Sequence, residues 1–214
     1  MTFKNTAPTS FTDEFLNHII MKRIVIALLL VSLSILTLNA QNNFAIDTEQ
    51  SIIHWNSSML FSFGGHHGTV KFKEGYLESD KGYITGGRFT VDMNTIINTD
   101  GEFSQNLVDH LKNDDFFDVE VYPTSTLVIT KAKYMDNGKI HMDGNLTIKG
   151  ITESIRFEAL VENEFSMMGN DRKLVTKFKI DRTKWNIMYG AKSIIDIKDY
   201  AISDAIEFEV ELFY

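Results

Sequence analysis

Residues 206–212 read IEFEVEL, and their period is two: Ile206, Phe208, Val210 and Leu212 alternate with Glu207, Glu209 and Glu211. Successive side chains of an extended strand point to opposite faces, so the stretch has one apolar face and one charged face. The same alternation returns upstream. Val70 and Phe72 stand against Thr69, Lys71 and Lys73, while Phe89, Val91 and Met93 stand against Arg88, Thr90 and Asp92. Ile155, Phe157, Ala159 and Val161 stand against Arg156 and Glu158. This is the pattern of half-buried antiparallel strands.

Further strands are predicted over 51–62, 125–133, 139–149 and 173–182. The turn signals between strands are Gly64-Gly65, Asp136-Asn137-Gly138 and Gly169-Asn170-Asp171. Prolines occur only at Pro8 and Pro123, which suits long ladders. About eight strands with one polar face close into a barrel or stack as a sandwich. An eight-stranded barrel is just wide enough inside for side chains or one small ligand. The exception is EFSQNLVDHLKN (102–113), where Phe103, Leu107, His110 and Leu111 fall at helical spacing and predict one short helix over 103–113. The inward set is then Val70, Phe72, Phe89, Val91, Leu127, Ile129, Phe157, Phe178, Ile180 and Phe208. A packed core and a tunnel wall require the same alternation, so periodicity does not distinguish them.

Composition narrows the class. The chain has 214 residues, 43% hydrophobic and 23% charged, enough for one domain with a core. Its net charge of -8 argues against a nucleic-acid partner, whose phosphates call for a basic surface. With no cysteine there is neither a disulfide nor a lipid-bearing cysteine. Met21-Lys22-Arg23 followed by the apolar run 24–38 and Ala40 has the grammar of a secretory signal, and cleavage is expected after Ala40. The run is shorter than a spanning helix needs. Met21 is therefore expected as the true start, with 1–20 an upstream extension, 21–40 the signal and 41–214 the domain. The exported protein, periplasmic or secreted, would keep no stable membrane anchor.

Two clusters attract attention as chemistry. His66 and His67 are adjacent, so on a strand they face opposite ways and do not chelate one metal; a Gly-flanked turn would relax that. DHLKNDDFFDVEVYP (109–123) holds a histidine amid five acidic residues. His110 and Asp114 have helical spacing, but no second histidine accompanies them, and acidic groups at a helix C-terminus oppose the dipole. The architectural reading makes Phe116 and Phe117 anchors after the helix, with Tyr122-Pro123 opening the next strand. No nucleophile elbow, P-loop or dinucleotide fingerprint is present. The sequons at Asn56 and Asn145 carry no assigned function.

Several blocks in order resemble one family. Ser51-Ile52-Ile53-His54-Trp55, His67-Gly68-Thr69-Val70, Asp109-His110-Leu111-Lys112, Asp115-Phe116-Phe117-Asp118, Tyr122-Pro123, Gly144-Asn145-Leu146-Thr147-Ile148-Lys149-Gly150 and Asp181-Arg182-Thr183-Lys184-Trp185 are similar to the YceI-like family of exported lipid-binding proteins. The resemblance spans nearly all of 43–214. It implies an all-β fold, an extended lipocalin-like eight-stranded antiparallel barrel. The tunnel would hold a long polyisoprenoid of quinone or prenyl-phosphate type, with the ten inward residues as its lining. It implies no chemical step, no cofactor and no metal. One departure is His66-His67-Gly68-Thr69, where more typical members carry a single histidine before an Arg-Gly-like turn, and it bears on any head-group contact at the tunnel mouth. The alternatives are an exported metal-dependent or acid/base hydrolase using His110 with Asp114 or Asp118, and an envelope protein whose partner is another protein. Oligomeric state, a dimer included, is left open by the residues.

Overall fold

The computed structural model describes residues 15, 18–25, 42–59, 65–101, 104–166, 169–191 and 202–214. They fall in two units, 1–41 and 42–214. In the first, 18–25 are helical, and most of the apolar run 24–38 lies outside the described residues. Among the described residues no helix is long and apolar enough to cross a membrane.

The second unit is built of strands β1 (Asn42–Ala45), β2 (Asp47–Met59), β3 (Gly65–Asp80), β4 (Tyr83–Asn98), β5 (Thr124–Tyr134), β6 (Ile140–Ile148), β7 (Ile151–Ser166), β8 (Gly169–Asp181) and β9 (Ile202–Phe213). Helix α1 (Ser104–Lys112) follows β4, and a 3-10 turn, Arg182–Trp185, follows β8. Strands β2 and β9 pair, β9 leads through β8, β7, β6 and β5 to β4, and β3 joins β4 to β2. All ladders are antiparallel and the eight strands β2–β9 close on themselves, which leaves the barrel no free edge.

The short β1 was not expected. It pairs with β3 at Asn42↔Ser79 through Ala45↔Tyr76, while β2 pairs with the same strand at Ile53↔Val70. The two are one interrupted run along β3. The break falls at Ile46, whose N–H still reaches the carbonyl of Gly75 (3.1 Å). Sequence also placed a turn at Gly169-Asn170-Asp171, but these residues belong to β8, paired as far as Ser166↔Gly169. Here the ladder overrides the local turn preference. Residues 60–62 of the predicted strand 51–62, Gly64 of the Gly64-Gly65 signal, and 102–103 of the predicted helix lie outside the described residues.

Up-and-down closure gives the barrel two unlike ends. At one, β3–β4 turns tightly at Lys81 (φ 51°) and Gly82 (φ 85°), a two-residue hairpin loop that needs positive φ twice. Leu77, Ile140 and Met142 are wholly buried near this end. The other end receives α1, the segment 113–123, the β6–β7 hairpin and the segment 182–191, so every long described connection gathers there. Trp185 is 1% exposed and donates Nε1–H to the carbonyl of Leu146 (3.1 Å), fastening the 3-10 turn to β6.

Candidate functional site

The inward rows of the strands enclose a cavity of about 400 Å³, within the range of small-molecule sites. Nine of the ten inward residues expected from alternation are on its wall: Val70, Phe72, Phe89, Val91, Leu127, Ile129, Phe157, Phe178 and Phe208. Ile180 is buried but off the lining, two positions before Arg182, which reaches the wall in its stead. Val91, Leu127, Phe178 and Phe208 face inward yet are only half-buried, because they border space rather than neighbours. Phe178 stacks on Phe157 (5.1 Å) and meets Phe208 at a tilt (5.6 Å), an aromatic strip across β7, β8 and β9. Trp55 crosses the face of β3 at Gly68: a Cβ there would lie 2.7 Å from the indole, so only glycine lets the ring lie flat.

At its α1 end the cavity is bordered by Leu107, Leu111, Phe116, Phe117 and Tyr189. The helix ends at Lys112, and the chain reverses tightly: Asn113 O accepts from the N–H of Phe116 (3.2 Å) and of Asp118 (2.7 Å), with Asp118 at φ 49°. That early end changes the reading of His110. Residue 114 is no longer helical, so the four-residue spacing does not bring Asp114 beneath the imidazole. The carboxylate that His110 meets is that of Asp115 (Nε2 to Oδ2 3.2 Å), and Asp118 is not its partner either. Its ring stands edge-on to Phe116 (4.9 Å) and Tyr189 (4.5 Å), clamping the 182–191 segment to α1. Lys149 donates to the carbonyl of Asp114 (2.9 Å) and ties the same turn to the β6–β7 hairpin. The acidic cluster is thus architecture around two cavity-lining phenylalanines. Among the described residues no three His, Asp or Glu side chains are grouped to hold a metal ion.

His66 and His67 lie in β3 opposite Ser57 and Asn56, on alternate faces as a strand requires. They nonetheless share a carboxylate that the sequence reading did not single out. Asp100 Oδ2 is 3.1 Å from His66 Nδ1, 3.8 Å from His67 Nδ1, and accepts the backbone N–H of His67 (2.9 Å). Asn98 donates to its other oxygen (2.7 Å). Burial pushes the Asp100 carboxyl up, but the hydrogen bonds from Asn98, the His67 backbone and the His66 ring together hold it below the ordinary carboxylate value.

Arg182, which does line the wall, is 1% exposed. It donates Nε to Ser203 O (3.1 Å) and Nη1 to Ile187 O (2.8 Å), and Asp204 lies 3.9 Å away. Burial lowers its pKa, opposed by Asp204 and Asp181. Neither Arg182 nor Asp100 had a periodic signal; Trp55 did, since it shares the parity of Ile53.

The match to known proteins follows this geometry. A crystal structure of Burkholderia cenocepacia BcnA is similar at TM-score 0.64 and 21% identity, covering 79% of this chain and 99% of that one. A Campylobacter jejuni YCEI protein is similar at TM-score 0.51 and 21% identity, covering 84% and 86%. Among curated relatives, a UPF0312 protein of Pseudomonas putida is 28% identical over 124 residues, 56% of this chain, and one of Vibrio parahaemolyticus is 30% identical over 123 residues, 50% of this chain. The matched region spans 62% of those relatives' length. The model of the YceI-like domain matches residues 44–213, the whole of the closed barrel, and by that match the chain belongs to the YceI-like family.

Proposed function

We propose that this protein sequesters or carries a long-chain isoprenoid lipid of quinone or prenyl-phosphate type inside the barrel, with no chemical step. The observation that carries the reading is the 400 Å³ space walled by aromatic and aliphatic side chains and left unfilled by them. At about 30 Å³ for a water-sized group, that space takes about 13 carbon-sized groups, or two to three five-carbon units. Each unit buried contributes roughly 4 kcal/mol at about 0.8 per methylene. Two to three units give about 8–12 kcal/mol gross, and ordering the chain offsets part of it, so micromolar affinity is the scale to look for. A longer chain is held over that length and emerges at the α1 end, since the hairpin end is shut by Leu77, Ile140 and Met142.

The test is organic extraction of the purified protein followed by mass spectrometry of what was bound. An isoprenoid recovered in stoichiometric amount supports the proposal, and a protein that neither carries nor takes up an apolar chain refutes it. We also propose that the carrier is exported by the 21–40 segment. The exported form should begin at Gln41 on N-terminal sequencing, and a protein that stays in the cytoplasm would contradict this.

A further inference from the structure

The cavity wall is chemically uneven at its α1 end. Leu107, Leu111, Phe116 and Phe117 make one arc largely apolar, its polar members being Tyr189 and His110, whose Nε2 is taken by Asp115, whereas β2, β3 and β9 bring Ser57, His66 and Ser203 to the lining, with Arg182 bonded to the Ser203 carbonyl. Ser57 and His66 are cross-strand partners, and Trp55 and Phe208 form the next inward row, two residues deeper. A polar collar therefore sits directly above an apolar bore.

Within the collar, the His66 ring is held. Its Nδ1 lies 3.1 Å from Asp100 Oδ2, and Asp100, only 14% exposed, is itself fixed by the His67 backbone N–H and by Asn98. A carboxylate against Nδ1 places the ring proton on that nitrogen and leaves Nε2 as a lone-pair acceptor. Carboxylate-oriented histidines owe their tautomer and ring angle to this arrangement. Among the described residues Asp100 is the side chain that partners this ring, and His66, 54% exposed, borders the cavity.

We propose that His66 Nε2 is the head-group acceptor of the cavity, and that it selects an amphiphile whose tail fills the barrel and whose head presents a hydroxyl, such as a prenol or a quinol. The inference rests on the reading of the barrel as a site for an apolar chain and narrows the head group of that reading, from a quinone or prenyl phosphate to the hydroxyl-bearing quinol or prenol. It adds an orientation, tail toward the hairpin end and head at the collar. It also adds a selectivity: an O–H donor satisfies Nε2, while the matching ether or quinone carbonyl leaves it unpaired. Asp100 acts as a positioning residue.

The experiment compares farnesol, farnesyl methyl ether and farnesyl phosphate against the purified, lipid-stripped protein by calorimetry. It is run at about pH 8, above the ordinary range of imidazole titration. Farnesol should bind about five-fold tighter than the ether, the size of one hydrogen bond. In His66→Leu that ratio should fall to about one, with the thermal melt showing the barrel intact. Asp100→Ala, which keeps the imidazole but frees it, should lose the preference too. Equal binding of alcohol and ether by the unaltered protein overturns the inference, as does a preference preserved in either variant that still binds the ether. Phosphate binding tighter than the alcohol overturns it as well, by pointing to a cationic collar. If none of the three binds, the cavity reading itself fails.

Discussion

Leu127 sits mid-strand on β5 between Phe89 and Leu146, borders the cavity and is only half-buried, so a larger side chain there grows into empty space. Leu127→Trp adds six non-hydrogen atoms in a thin fused ring, about 60 Å³ of side-chain volume. Out of the 400 Å³ available, that is the room of about two chain groups at about 30 Å³ each. A bound chain then loses contact for about two groups, roughly 1.6 kcal/mol gross, part of which reappears as ordering no longer required. The expected loss of affinity is about 1 kcal/mol, on the order of five-fold. The folded barrel should not suffer in proportion, because the indole fills a void instead of displacing neighbours. The assay is a calorimetric titration with farnesol alongside a thermal melt. Unchanged affinity with an unchanged melt would refute the claim that the chain occupies this space. A melt lowered by many degrees would show that the space is not there to be filled.

Three further outcomes follow from particular contacts. Gly68→Ala puts a Cβ 2.7 Å from the Trp55 indole and against the carbonyl of Ile97, and should cost about 1–3 kcal/mol of stability in denaturant titration with a shift in tryptophan emission. Arg182→Met strips donors from the carbonyls of Ser203 and Ile187; leaving them buried should cost about 2–4 kcal/mol, less whatever is regained by no longer burying a charge. A melt that rises instead would show the second effect to dominate. Asp100, whose folded pKa is depressed, contributes stability above its unfolded value of about 3.9 that is lost as pH falls through the folded value. Thermal melts should therefore show Asp100→Asn less stable than the unaltered protein at neutral pH, the gap closing below about pH 4; a gap independent of pH would defeat this account.

Much of the site was legible because alternation is a strictly local signal. Val70, Phe72, Phe89 and Phe208 could be assigned to one face from their immediate neighbours, and the closed barrel keeps that parity. The helix was legible for the same reason, through Leu107, His110 and Leu111. What escaped was set by partners distant in sequence. The β3–β4 ladder shifts register between Thr69 and Lys71 and again between Phe72 and Glu74, and no feature of either strand alone announces a bulge. The Lys81-Gly82 hairpin does carry a local signal, a glycine following a polar residue between two strands.

By itself, the amino-acid sequence determined the strand-rich fold, the inward face of most strands and the short helix, since each depends on side chains within a turn or two of one another. Only the tertiary structure decided that the inward rows stand apart around 400 Å³, that His110 turns to Asp115 as part of a clamp, and that Asp100 holds His66 at the mouth. An apolar face reads the same whether it meets another face or empty space. Which of these it meets is fixed by strand number, tilt and closure, quantities that belong to the whole sheet.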